Sequence, residues 1–163
     1  MTKEYSPLHA SVSDAVASGE IEPDIVLPGM RRLSNVCAMA VKWLGEPETH
    51  DYDAAADYLS MVAESATISA TVAALRHAET VYRKAKDILR AARLPLLPES
   101  NSHVRADLAK ISDGKKLSPI LLVRGQALAD VALQIADGYH RVCASYLTDE
   151  NTAIPCRLVS WET

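Results

Sequence analysis

The run from Pro119 to Trp161 restricts the folding options of this 163-residue chain more than any other stretch. It contains two short β-rich runs, "PILLVRG" ending at Gly125 and "DVALQIAD" ending at Asp137, and the few residues between them suit a hairpin-like connection. The second run passes straight into Asp137-Gly138-Tyr139-His140-Arg141. Helical spacing then resumes through Val142, Ala144, Ser145 and Tyr146, and "AIPCRLVSW" closes as another strand. A chain that makes a hairpin, turns into a helix at a glycine and returns as a strand is building a small sheet with a helix packed on it.

The flanking segments extend this pattern. "RLPLLP" is short and apolar and is expected to be extended. "SHVRADLAKISDG" has helical spacing at Val104, Leu108 and Ile111, with Gly114 as its stop. The C-terminal half therefore reads β-α-β-β-α-β. The N-terminal half reads as helical: a short helix near Leu8 to Ala17, then one from Met30 to Leu44 ended by Gly45 and Pro47. A third begins at an Asp51 or Asp53 cap and turns Ala55, Tyr58, Leu59 and Val62 inward. "ATISATVAALRHAETVYRKAKDILRAARL" reads as one long helix with an apolar stripe from Ile68 to Ala92, stopped by Pro95 and Pro98. The expectation is an α+β protein: a helical N-terminal extension over 1–92 and a small mixed sheet with helices over 93–163, together one compact unit.

Composition narrows the function classes. A chain that is 48% hydrophobic and 23% charged has the makings of a real core. Its net charge of −4 argues against a free-standing DNA-binding module, whose affinity rests on phosphate neutralisation. One segment departs from this balance. Residues 76–93 hold six basic side chains (Arg76, Arg83, Lys84, Lys86, Arg90, Arg93) against two acidic ones. They read either as the solvated face of the long helix or as a contact surface for phosphate or an acidic partner. Arg83, Lys84 and Lys86 are the candidate nucleic-acid contacts.

Cys37, Cys143 and Cys156 are odd in number, widely spaced and without a CxxC pair, as expected of reduced, buried thiols inside a cell. No basic-then-apolar leader opens the sequence and no apolar run approaches 18 residues, so the expected location is cytoplasmic, with no membrane partner. His9, His50, His77 and His103 show no metal-ligand spacing, and no metal site is expected. No P-loop or GxSxG sequence occurs.

The chemistry concentrates at the seam. A helix N-terminus carries unpaired N–H groups and partial positive charge. A glycine there lets a bulky oxyanion approach the backbone. An arginine in the first turn adds a planar fork of donors, and a histidine adds a group that titrates near neutrality. Asp137 is suited to cap the helix or to hold a metal ion or a hydroxyl. Asp-Gly is also a common turn, and the five residues alone leave both readings open.

In order and spacing, "KKLSPILLVRG…LQIADGYHRVCASYL…IPCRLV" resembles the ParB/sulfiredoxin-like fold family, over about residues 93 to 160. The specific part lies at Pro119-Ile120 and Asp137 to Arg141, and the loop is most like the DG-x-HR type of free serine kinases. The resemblance implies a nucleotide-phosphate site lined by Gly138, Tyr139, His140 and Arg141, with His140 and Arg141 on phosphate and Asp137 beside a metal or substrate. It implies ATP or another nucleotide with Mg2+ as cofactor, a nucleotide or phosphorylated small molecule as ligand, and phosphotransfer or phosphate-ester hydrolysis as the chemistry. The catalytic candidates are Asp137, His140 and Glu99, the last standing where the serine kinases place an acidic residue near the first strand. His103 is close enough to that strand to reach the cradle.

Two departures narrow the chemistry. Tyr139 replaces the sulfiredoxin cysteine, which removes thiol-based sulfinic reduction, and the Glu-Arg-Arg of partition proteins is absent. Cys143, one turn later, is expected in the core. The rival reading is a non-catalytic regulatory or nucleic-acid-associated module of the ParB type. Either form is compatible with a homo-oligomer built on the helical half.

Overall fold

The computed structural model describes residues 40–162. Strand β1 (Lys42–Trp43) leads into helices α1 (Thr49–Leu59) and α2 (Ser65–His77), then β2 (Thr80–Lys84) and α3 (Ala85–Ala92). After a loop come α4 (Ser102–Ser112), β3 (Lys116–Leu117), β4 (Ile120–Val123) and one 3-10 turn at Ala127–Ala129. The described chain closes with β5 (Gln134–Asp137), α5 (Tyr139–Thr148) and β6 (Ala153–Val159). The architecture is mixed α+β.

The main sheet has the order β2-β6-β4-β5, and β1 and β3 form a separate parallel pair. β4 runs parallel to β6 and antiparallel to β5, while β2 is antiparallel to β6. Both faces of the sheet are covered. Ile120 and Leu122 point into a core shared with α3, α4 and α5; Leu121 and Val123 point into a second core shared with α1 and α2. That is why "ILLV" is uninterrupted apolar sequence where a half-exposed strand would alternate. Leu121 is fully buried, so its truncation to alanine is expected to cost about 2–5 kcal/mol. Between Leu121 and Leu122 the β4–β5 register shifts, so Leu121 faces Asp137 and Leu122 faces Ile135. This bulge lies at the last residues before the seam and ends regular pairing there.

Several expectations are corrected. The expected helix near Leu8 to Ala17 lies outside the described residues, as does all but the end of the one expected over 30–44. The described end of the latter is a strand, because Lys42 and Trp43 pair with Lys116 and Leu117. Glu48, not Asp51 or Asp53, is the N-cap of α1; Asp51 sits at N3, and its carboxylate accepts the Glu48 N–H. Val62 lies beyond α1 and is exposed.

The long helix over 66–94 is two helices with a strand between them. Thr80, Val81 and Tyr82 favour extended backbone and pair with Arg157, Cys156 and Pro155 of β6, and that tertiary pairing outweighs helical spacing. The basic residues of 76–93 therefore do not share one helix face. "RLPLLP" is an irregular loop: its prolines cannot donate to a ladder, and Leu94 and Leu96 are exposed. The first strand of the main sheet is instead β2, so the sheet takes strands from both sides of residue 93. Of the remaining elements α4, β4, α5 and β6 fall where expected, β5 takes only the second half of "DVALQIAD", and β3 and the 3-10 turn have no counterpart among the sequence expectations. Cys143 and Cys156 are buried.

Candidate functional site

The seam is built by Gly138. Its φ of +101° is backbone that side chains rarely adopt, and it turns β5 into α5, whose first bond runs from the Val142 N–H to the Gly138 carbonyl at 3.0 Å. A Cβ here would stand 2.5 Å from Ile120 Cδ1 and 3.2 Å from both Nε and Nη2 of Arg141. The glycine is thus needed for the turn and for the arginine that folds back beneath it. No side chain caps α5.

Arg141 joins three elements. Its Nη2 contacts the carboxylates of Asp137, one turn earlier, and of Asp51 on α1, the latter at 3.2 Å. Its Nη1 donates to the Ser118 carbonyl at 3.1 Å. The Ser118 hydroxyl donates to the second oxygen of Asp51, and the Glu48 N–H reaches both that oxygen, at 2.9 Å, and Ser118 Oγ, at 3.1 Å. Two carboxylates, one guanidinium and a buried hydroxyl make a closed network, with the Arg141 side chain only 12% exposed.

The two acids share the arginine but differ in their other neighbours. Burial pushes the Asp51 carboxyl up, but the Ser118 hydroxyl, the Arg141 charge and the Glu48 amide together hold it below the usual range. Asp137 lacks those neutral donors. Burial pushes it up, Arg141 only partly offsets this, and the nearby Asp51 charge adds to it, raising Asp137 to about 6. Two acids with environments pushed apart is the pattern that supplies a charged partner and a proton carrier in one site.

A cavity of about 540 Å³ opens over this network. Gly138, His140, Asp137, Asp51 and Ser118 line it, together with His103 and Lys110 of α4, Lys116 of β3 and Lys115 just before it. The His103 and His140 rings lie 4.7 Å apart. Burial and the neighbouring His103 lower the His140 pKa. His50 Nε2 lies at the rim, 3.6 Å from Asp51. Among the described residues no group of three or more His, Cys, Asp and Glu side chains is arranged to hold a metal ion.

The sequence candidates divide. Asp137, Gly138, His140, Arg141 and His103 all line the cavity. Arg141 does so with both terminal nitrogens already engaged by the carboxylates and the Ser118 carbonyl. Tyr139 does not line it; its hydroxyl donates to the Pro95 carbonyl. Glu99 is exposed in the loop before α4 and is not in the wall. Arg83 and Lys84 sit on the edge strand β2, and Lys86 pairs with Glu150, all away from this cavity. Sequence reasoning missed Asp51 and Ser118 as site residues. Asp51 carries a helix-start signal that capping accounts for, and its arginine is 90 residues away. Among the described residues no helix is long and apolar enough to cross a membrane.

Compared with known proteins, the chain matches no family model, no curated protein and no solved structure.

Proposed function

We propose that the chain carries a ParB/sulfiredoxin-like unit and binds a nucleotide or another phosphate ester at the start of α5. One observation carries the reading. The α5 N-terminus, free of any side-chain cap, opens into a cavity whose wall also holds His103, His140, Lys110, Lys115 and Lys116. Helix N–H groups, a glycine without Cβ and nearby cations are the components of a phosphate cradle. The order of hairpin, glycine seam, helix and closing strand supports the fold part of the proposal.

In this reading His140 and Lys116 contact the phosphate, while Lys110 pairs with Asp107 and Lys115 with Asp113. Arg141 acts from below, holding Asp51 charged and Asp137 in place. Asp137, at about 6, is mostly ionised at pH 7 and is the group suited to take a proton from an attacking hydroxyl or water in phosphotransfer or phosphate-ester hydrolysis.

Calorimetry with ATP, CTP and GTP in the presence of Mg2+ tests the proposal, using the wild-type chain and the variants His140→Ala and Lys116→Ala. At least one nucleotide is expected to bind, and each variant to bind it about tenfold more weakly. Failure of all three nucleotides to bind, or unchanged affinity in both variants, overturns it. Arg141→Ala is a poor probe, because it strands the buried Asp51 and the half-buried Asp137 and disturbs the fold itself.

A further inference from the structure

Three arginines of the basic run over 76–93, Arg83, Arg90 and Arg93, meet again on a different surface. A cavity of about 400 Å³ lies between α3 and the sheet, walled by Arg83, Arg90 and Asp87 over a floor of Ile88, Leu122, Leu133 and Leu158. A second, of about 420 Å³, shares Arg90, Ala91, Leu133 and Leu158 with it and continues to Arg93, Arg124 and Val131. The two form one groove with an apolar floor and four arginines along its length. Beyond its far end the 3-10 turn holds Leu128 fully in solvent, next to a wall residue, Ala127, and Val131 is also exposed.

We propose that this groove is a docking site for an extended, acidic peptide segment of a partner protein, with leucine-like side chains alternating with carboxylates. The apolar floor needs apolar side chains to cover it, and the arginines need anions at its margin. Arg90 pairs with Asp87 and Arg93 with Asp130, but among the described residues neither Arg83 nor Arg124 has a carboxylate partner. They flank the groove from β2 and from the end of β4, and both are exposed where a partner's carboxylate can reach them. In a chain of net charge −4 this concentration of guanidinium around leucines stands against the overall balance, and arginine is the cation suited to paired contacts with carboxylates. A nucleic acid fits less well, since its phosphates would leave the leucine floor uncovered. The apolar track running on to Val131 and Leu128 suits a chain longer than one small molecule.

The test uses the full chain labelled with 15N and an acetylated nonapeptide alternating aspartate and leucine. Amide signals of Ala91, Leu133 and Leu158 are expected to move on titration. Affinity is expected to fall about tenfold in the double variant Arg83→Glu/Arg124→Glu, and to weaken with added salt. Circular dichroism of the variant is expected to match wild type, because both side chains are exposed. A lysine–leucine nonapeptide and a short DNA duplex are the comparison probes. Equal binding of the lysine peptide, movement of the same amides by DNA alone, or no movement at millimolar acidic peptide overturns the proposal. Ala91, Leu133 and Leu158 line this groove and not the α5 cavity, so their shifts report on it independently of the nucleotide reading.

Discussion

The two concave surfaces of this chain use arginine in opposite ways. At the α5 seam Arg141 is buried, and its terminal nitrogens are spent on Asp51, Asp137 and the Ser118 carbonyl. Around the leucine groove Arg83 and Arg124 are exposed and lack carboxylate partners among the described residues. The first arginine organises other groups, so its energetic weight lies in folding. The others are available to a ligand, so their weight lies in binding. Proximity of arginine to a cavity therefore says little about its role until its donors are counted.

The most direct way to break this contrast is to remove one arginine from each surface and measure urea unfolding. Arg141→Ala is expected to destabilise the chain by about 3–5 kcal/mol, because it leaves buried carboxylates without their counter-charge. Arg124→Ser is expected to stay within about 0.5 kcal/mol of wild type, as for other exposed positions without a structural role. Equal losses would erase the distinction.

Gly138→Ala comes next in size. The positive φ is expected to cost about 1–2 kcal/mol, and displacement of Ile120 by the new Cβ about 1–3 kcal/mol more. Urea midpoints read the sum. Gly45 is the control, since a Cβ there meets nothing within 4 Å.

A smaller effect is the pH dependence of the buried network. Asp137 is raised in the folded state, so the native chain binds the extra proton between the ordinary carboxyl range near 4 and about 6. Its contribution is fully present below that range and is lost as pH rises through about 6. Asp51 has the opposite sign: it is lowered, so its contribution is present above the ordinary range and is lost as pH falls through its depressed pKa. His140, also lowered, favours the folded state increasingly as pH rises toward its ordinary 6.5. Subtracting the stability profile of Asp137→Asn from that of wild type isolates the Asp137 part, which is expected to decline between pH 4 and 6. A flat difference would mean that Arg141 fully compensates the burial of Asp137.

The smallest expected effect belongs to the rim pair Arg90 and Asp87, three residues apart on α3 and well exposed. Arg90→Ala is expected to change stability by less than about 0.5 kcal/mol, while weakening the aspartate–leucine peptide in the same 15N titration. A large stability loss would place Arg90 with Arg141 and blur the contrast.

Much of the α5 site was legible in the chain. Hairpin, seam and closing strand are each specified by local signals: an apolar run, a glycine that needs positive φ, and resumed helical spacing. His103 and His140 were both singled out, and they do meet. Asp51, Ser118 and the role of Arg141 were not legible, because each depends on neighbours that no local pattern reports. The strand at Thr80–Lys84 was missed for a similar reason. Thr80, Val81 and Tyr82 favour extended backbone, but the helical spacing on both sides runs on through them and masks that preference.

By itself the sequence determined the α+β class, the order of α4, β4, β5, α5 and β6, and the glycine-centred turn into α5. These follow from short-range rules of propensity, capping and backbone freedom. Only the tertiary structure decided that β2 joins the sheet, that one arginine holds two acids from α1 and β5, and that the basic run wraps an apolar groove. Those outcomes depend on contacts between residues far apart in the chain, where burial and charge pairing outweigh local preference.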